Sequence, residues 1–197
     1  SNHKNRILSH SVNYFNILNK YFNKNDIICE VGSGPGVLSA LIHQEKNTTN
    51  ILIDIPDVML VGISFLFSIF PEKKYLLPNE IENLNISDLS KYDFIFLTPE
   101  QTETVLKDSV NLTVNTQSFM EMDKNEVESY LKFFDKILKK DGYFFCSNRL
   151  RKRHYFFNFP FFLIKNLKVI FLEKDEYFYK NKELASMLNL LAIRDPN

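Results

Sequence analysis

The segment Glu30-Val31-Gly32-Ser33-Gly34-Pro35-Gly36 constrains this chain more than any other. It follows a short apolar run, Asp26 to Val31, and precedes residues at helical spacing, Val37 to His43. Glycines between a buried strand and a helix permit a tight turn and let a ligand approach the backbone closely. The helix N-terminus behind them favours an anionic group such as a carboxylate or phosphate. A loop of this kind also serves as a plain strand-to-helix turn, so the surrounding pattern has to decide.

That pattern is an alternation. Strands are predicted at 26–31, 50–55, 93–97, 110–115 and 143–147, each a short apolar run. Helices are predicted at 37–43, at 57–70 with Asp57 as cap and Pro71 as stop, at 99–107 with Pro99 in the first turn, and at 124–140 ended by Asp141-Gly142. An amphipathic helix opens the chain over 4–22, and residues 72–91 read as an irregular insert. Alternation of this kind predicts an α/β fold, a mostly parallel sheet with helices on both faces. Two late strands, 167–172 and 187–194, have no long helix between them, so the last is expected to be antiparallel. The whole chain is read as one domain: an N-terminal helix over 1–25, a core over 26–148, and a basic and aromatic segment with C-terminal strands over 149–197.

Composition narrows the function classes. The 197 residues carry 24 Lys+Arg against 24 Asp+Glu, which disfavours a nucleic-acid binder driven by bulk positive charge. Cys29 and Cys146, the two cysteines, lack disulfide-scaffold or metal-ligand spacing and read as buried thiols. No apolar stretch reaches the length of a membrane span, so a soluble, cytoplasmic protein is expected. No metal site is expected, although Glu121 and Asp123 are close in sequence; a charged helix start explains that pair equally well.

Asp54 ends the second predicted strand, 22 positions after Gly32. A carboxylate there can accept both hydroxyls of an adenosine ribose. Loop and acid together indicate an adenosine cofactor at the carboxyl ends of a parallel sheet, with nicotinamide and S-adenosylmethionine both open. Glu30, two residues before the first glycine, suits a ligand with a free ammonium and sits badly beside a pyrophosphate. The form E-V-G-x-G-x-G resembles motif I of the class I S-adenosylmethionine-dependent methyltransferases. ILIDIPDVML (51–60), FLTPEQ (96–101), NLTVNTQSFMEM (111–122) and GYFFCSNR (142–149) then follow in order. This series, over about residues 27 to 149, resembles the sugar O-methyltransferase family, in which such turns recur.

The resemblance implies a Rossmann-like methyltransferase sheet, S-adenosyl-L-methionine as cofactor, and methyl transfer to a sugar hydroxyl. Under it Glu30 reaches the cofactor's amino group, and Gly32, Ser33, Gly34 and Gly36 line its methionine part. Asp54 holds the ribose and Ile55 packs on the adenine. Thr98, Pro99 and Gln101 lie near the adenine edge, or simply start a helix. Asn115 and Thr116 end the strand where sulfonium and acceptor meet. Glu121 is the first candidate for a general base and His154 the second. His43 reads as structural or exposed.

The run RLRKR, with Arg149, Arg151 and Arg153, can clamp phosphate or carboxylate groups, or can be a solvated loop. The clamp implies an anionic acceptor such as a nucleotide-linked or lipid-linked sugar. The aromatic stretch 155–164 beside it packs in a core or lies at a membrane interface. Two other readings stay open: a nucleic-acid methyltransferase, and a non-catalytic domain that binds S-adenosylmethionine.

Overall fold

The computed structural model describes residues 2–81, 88–149, 151–152, 155–156, 163–175, 177 and 187–195. Helix α1 (Asn2–Leu18) comes first, then β1 (Ile27–Val31), α2 (Val37–Lys46), β2 (Thr49–Ile53), α3 (Pro56–Ile69), β3 (Tyr75–Leu76) and β4 (Phe94–Leu97). After them come β5 (Val110–Thr116), α4 (Lys124–Ile137), β6 (Leu138–Arg149), the short pair β7 (Arg151–Lys152) and β8 (Tyr155–Phe156), β9 (Leu167–Lys174) and β10 (Met187–Arg194). The chain divides into two compact units, Ser1–Leu106 and Lys107–Asn197.

In the first unit the strands run parallel in the order β3-β4-β2-β1. Every residue of β2 and β4 is buried, as expected of parallel strands covered on both faces. Leu52, Phe94 and Phe96 pack with Ala40 of α2 and with Met59 and Leu66 of α3. Burying a side chain of this size contributes about 1.5–3 kcal/mol. Lys46 ties the end of α1 to α2: its ammonium donates to the carbonyls of Asn19 and Phe22 and lies over the Phe22 ring.

In the second unit β5 runs parallel to β6, and β10 lies between β6 and β9, antiparallel to both. The antiparallel C-terminal strand is therefore as expected. Helix α4 opens with a reciprocal cap. Asp123 Oδ1 accepts from the Glu126 N–H at 2.9 Å, and Glu126 Oε2 accepts from the Asp123 N–H at 2.8 Å. Arg194 clamps the other end, donating to the Asp135 carboxylate and to the Leu138 carbonyl.

Four expectations are corrected. The segment 72–91 contains β3, which pairs with β4. Helix α3 is capped by Ile55 and begins at Pro56, so Asp57 lies in its first turn. Helix α4 stops at Ile137 and β6 starts at once; the β5–β6 register then jumps between Val110 and Leu112, and Asp141 takes a left-handed φ of 61° in the excursion. Residues 99–104 form a 3₁₀ rather than an α turn. Cys29 and Cys146 are buried free thiols, as read from sequence, and burial pushes the Cys146 pKa up to about 12. No helix among the described residues is long and apolar enough to cross a membrane.

Candidate functional site

The first unit holds the glycine loop. Gly32, Gly34 and Gly36 all have positive φ, 72°, 55° and 74°, which disfavours residues with a Cβ. The Gly32 N–H donates to the Ile53 carbonyl and the Gly36 N–H to the Ser33 carbonyl, which folds the loop back over the sheet end. A Cβ built on Gly34 would meet nothing within 4 Å, so the space above the loop is open. One built on Gly62 of α3 would lie 3.0 Å from the Gly34 carbonyl oxygen. Helix α3 thus presses against the loop, and a side chain at 62 would require the loop backbone to give way.

Glu30 lies at the end of β1 and is 4% exposed. Its Oε2 accepts from the Ser39 hydroxyl at 2.9 Å. Burial pushes its pKa up to about 8; the Ser39 hydrogen bond opposes the rise and the negative charge of Asp54 adds to it. A carboxyl held this way gains from a cation. Asp54 follows β2, and its Oδ2 accepts from the Gly34 N–H at 2.8 Å while Oδ1 accepts from the Ile55 N–H at 2.8 Å. It therefore braces the loop as well as presenting a carboxylate beside it. Ile55, next in sequence, is 56% exposed, a bare apolar surface adjoining an acid. Open room over Gly34, a buried carboxyl, a second carboxylate and an exposed apolar side chain fit the ammonium, ribose and base of an adenosyl amino acid.

Thr98, Pro99 and Gln101 are half-buried in the turn after β4. The Gln101 amide is committed at both ends: Oε1 accepts from the Thr98 N–H and Nε2 donates to the Pro78 carbonyl. His43 is buried between Phe70 and Phe94, with Nδ1 2.7 Å from the Thr48 carbonyl, and burial lowers its pKa.

The second unit holds the other candidates. Asn115 is fully buried at the end of β5, and Thr116, half-buried, follows it. The Asn115 amide donates to the Ser118 hydroxyl, while its Oδ1 accepts from the Phe119 N–H and from Asn148 Nδ2. Glu121 is exposed on the loop between β5 and α4, its N–H bonded to the Ser118 carbonyl at 2.9 Å. Arg149 ends β6, and its Nε is buried without a hydrogen-bond partner among the described residues. Arg151 is placed only as backbone in β7. Arg153 and His154 lie outside the described residues. No group of three His, Cys, Asp or Glu residues that could hold a metal occurs among the described residues; Asp123 serves α4 as its cap.

Sequence reasoning missed Ser39, Gly62 and Asn148. Ser39, a small polar residue in the first turn of α2, could have been picked out. The other two act through contacts distant in sequence, which no local pattern signals.

No family model matches this sequence, and no curated protein matches it. Among solved structures, an S-adenosylmethionine-dependent methyltransferase from Mesorhizobium loti superimposes with a TM-score of 0.61 at 9% identity, over 92% of this chain and 98% of that one. The geranyl diphosphate C-methyltransferase of Streptomyces coelicolor, in complex with Mg2+, geranyl diphosphate and S-adenosyl-L-homocysteine, gives 0.62 at 11% identity, over 96% and 79%. The phosphoethanolamine N-methyltransferase 1 of Haemonchus contortus, in complex with phosphoethanolamine and S-adenosylhomocysteine, gives 0.67 at 12% identity, over 98% and 44%. At these identities the likeness is one of fold. The fold is the Rossmann-like α/β fold of the class I S-adenosylmethionine-dependent methyltransferases.

Proposed function

We propose that this chain is an S-adenosylmethionine-dependent O-methyltransferase whose acceptor is a sugar hydroxyl. The observation that carries the cofactor assignment is the buried Glu30 carboxyl beside a left-handed glycine loop braced by Asp54. Glu30 takes the ammonium of the methionine part, Gly32, Ser33, Gly34 and Gly36 line that part, and Asp54 takes the ribose hydroxyls. Ile55 covers one face of the adenine, with Thr98, Pro99 and Gln101 shaping its edge. The sugar assignment rests on the resemblance of NTQSFMEM and the turns before it.

The cofactor supplies an electrophilic methyl group on a sulfonium. Transfer is an in-line displacement: the acceptor oxygen bonds the methyl carbon as the sulfur–carbon bond breaks, and the hydroxyl proton leaves to a base. Asn115 and Thr116, at the end of β5, bound the place of transfer. Holding the reactants at attack distance supplies on the order of 7–11 kcal/mol in favourable cases. Glu121 is the base, and proton removal of this kind contributes about 10²–10⁴-fold. Arg149, Arg151 and Arg153 receive the anionic part of a nucleotide- or lipid-linked acceptor.

Calorimetry with S-adenosylmethionine, S-adenosylhomocysteine and NAD tests the cofactor; binding of NAD alone rejects the reading. A methyl-donor assay over UDP-glucose, GDP-mannose, free monosaccharides and short RNA tests the acceptor. Methylation of RNA but no sugar moves the protein to nucleic-acid chemistry, and cofactor binding without any transfer makes it a binding domain. With the best acceptor of this panel, Glu121→Gln lowers turnover about 10²-fold while cofactor affinity stays within about threefold. Retained turnover in Glu121→Gln with loss in His154→Gln transfers the role of base to His154.

A further inference from the structure

Asn148 falls within the GYFFCSNR segment but carries no role read from the sequence, yet it is 2% exposed and fully engaged. It lies near the end of β6 and reaches across to the loop that follows β5. Its Nδ2 donates to Asn115 Oδ1 at 2.8 Å and lies 3.1 Å from the Cys146 sulfur. Its Oδ1 accepts from the Met120 N–H at 3.1 Å. Asn115 in turn binds the Ser118 hydroxyl and the Phe119 N–H. Two buried amides thus hold three consecutive loop residues, Ser118, Phe119 and Met120, and the next residue is Glu121.

The remaining contacts of this loop leave it little slack. The Gln117 N–H donates to the Ser147 carbonyl at 2.7 Å, with Gln117 in the left-handed region at φ 61°. The Phe119 ring is fully buried, with its centroid 6.3 Å from that of Tyr130 and 6.2 Å from that of Phe134. The Glu121 N–H returns to the Ser118 carbonyl, and Asp123 starts α4. Buried amides are costly to leave unpaired. An apolar residue at 148 would leave the buried Met120 N–H without its acceptor and Asn115 Oδ1 without one of its donors, so the loop depends on this amide.

We propose that Asn148, through its buried amide pair with Asn115, is a positioning residue that fixes the Ser118–Glu121 turn and so sets where the Glu121 carboxylate stands. The proposal rests on the reading of Glu121 as the base. It predicts a split in kinetic effects: removing the Asn148 amide displaces the base without touching the glycine loop, so turnover falls and cofactor binding does not.

The test is a double-mutant cycle of Asn148→Ala and Glu121→Gln, assayed with the best acceptor of the panel above. Amide hydrogen exchange and calorimetry with S-adenosylhomocysteine run alongside. Asn148→Ala should lower kcat by on the order of 10²-fold, because misplacing a reacting group by about 1 Å costs that much. The affinity for S-adenosylhomocysteine should stay within about threefold, and exchange at Met120 should quicken by about tenfold or more. In the Glu121→Gln background Asn148→Ala should cost nothing further. Multiplicative losses, or unchanged exchange at Met120, overturn the proposal while leaving Glu121 as the base. Full turnover in Glu121→Gln instead removes the base reading, and the positioning role falls with it. If Asn148→Ala does not fold, Asn148→Ser keeps a small polar group at the site and enters the same cycle, with the same outcomes.

Discussion

Glu30→Gln should stabilise the free protein, and increasingly so as pH rises. The native carboxyl has a pKa of about 8, against 4.5 for an unperturbed glutamate, chiefly because it is buried. Between those two values the native state holds a proton that the unfolded chain has released. This group's contribution to stability is therefore fully present below pH 4.5 and is lost as pH rises through 8. The loss between pH 5 and pH 8 amounts to about 3 kcal/mol. Glutamine carries no such proton, and its carbonyl can still accept from Ser39. Urea unfolding of both proteins at several pH values gives the comparison. The variant should gain about 1 kcal/mol at pH 5 and about 4 kcal/mol at pH 8. Parallel pH profiles in the two proteins would refute the argument, because they would mean that the native carboxyl ionises as it does in water. The same substitution should weaken binding of S-adenosylmethionine by about 1.5–3 kcal/mol, since it removes the charge proposed to meet the ligand ammonium. Gain of stability with loss of binding is the signature of a residue kept for its ligand.

Asp54→Ala removes the acceptor of the Gly34 N–H as well as the proposed ribose contact; calorimetry should show affinity for S-adenosylmethionine reduced by about 1.5–3 kcal/mol, and unchanged affinity with the fold intact would place the ribose elsewhere. Gly62→Val puts methyl groups on a Cβ that would itself stand 3.0 Å from the Gly34 carbonyl oxygen; thermal or urea unfolding should show a loss of about 1–3 kcal/mol.

The strands around the loop were legible because parallel strands covered on both faces read as mostly apolar runs: IICEV, TNILI and FIFL. Strand β3 was not, because two residues carry no period of their own and Tyr75 and Leu76 owe their pairing to β4. Asp57 looked like a cap until Pro56 claimed the first helical position and moved the cap back to Ile55. At the site, Glu30 and the glycines announced themselves by spacing. The press of Gly62 on the loop and the reach of Asn148 to Met120, 28 positions away, are tertiary facts that no window of sequence contains.

The placement of β10 also bears on how the chain comes to fold. Among the described residues β9 meets the rest of its sheet through β10, and β10 is the later of the two in the chain. During synthesis β9 therefore emerges before its neighbour exists, with Val169, Ile170 and Leu172 having no strand to join. Strands β5 and β6 can pair as they arrive, but β9 must wait for residues 187–194 to connect it to β6. The interval before that step is when the second unit is most exposed to pairing with another chain, and it is where slow release or a holding chaperone would most improve the yield of folded protein.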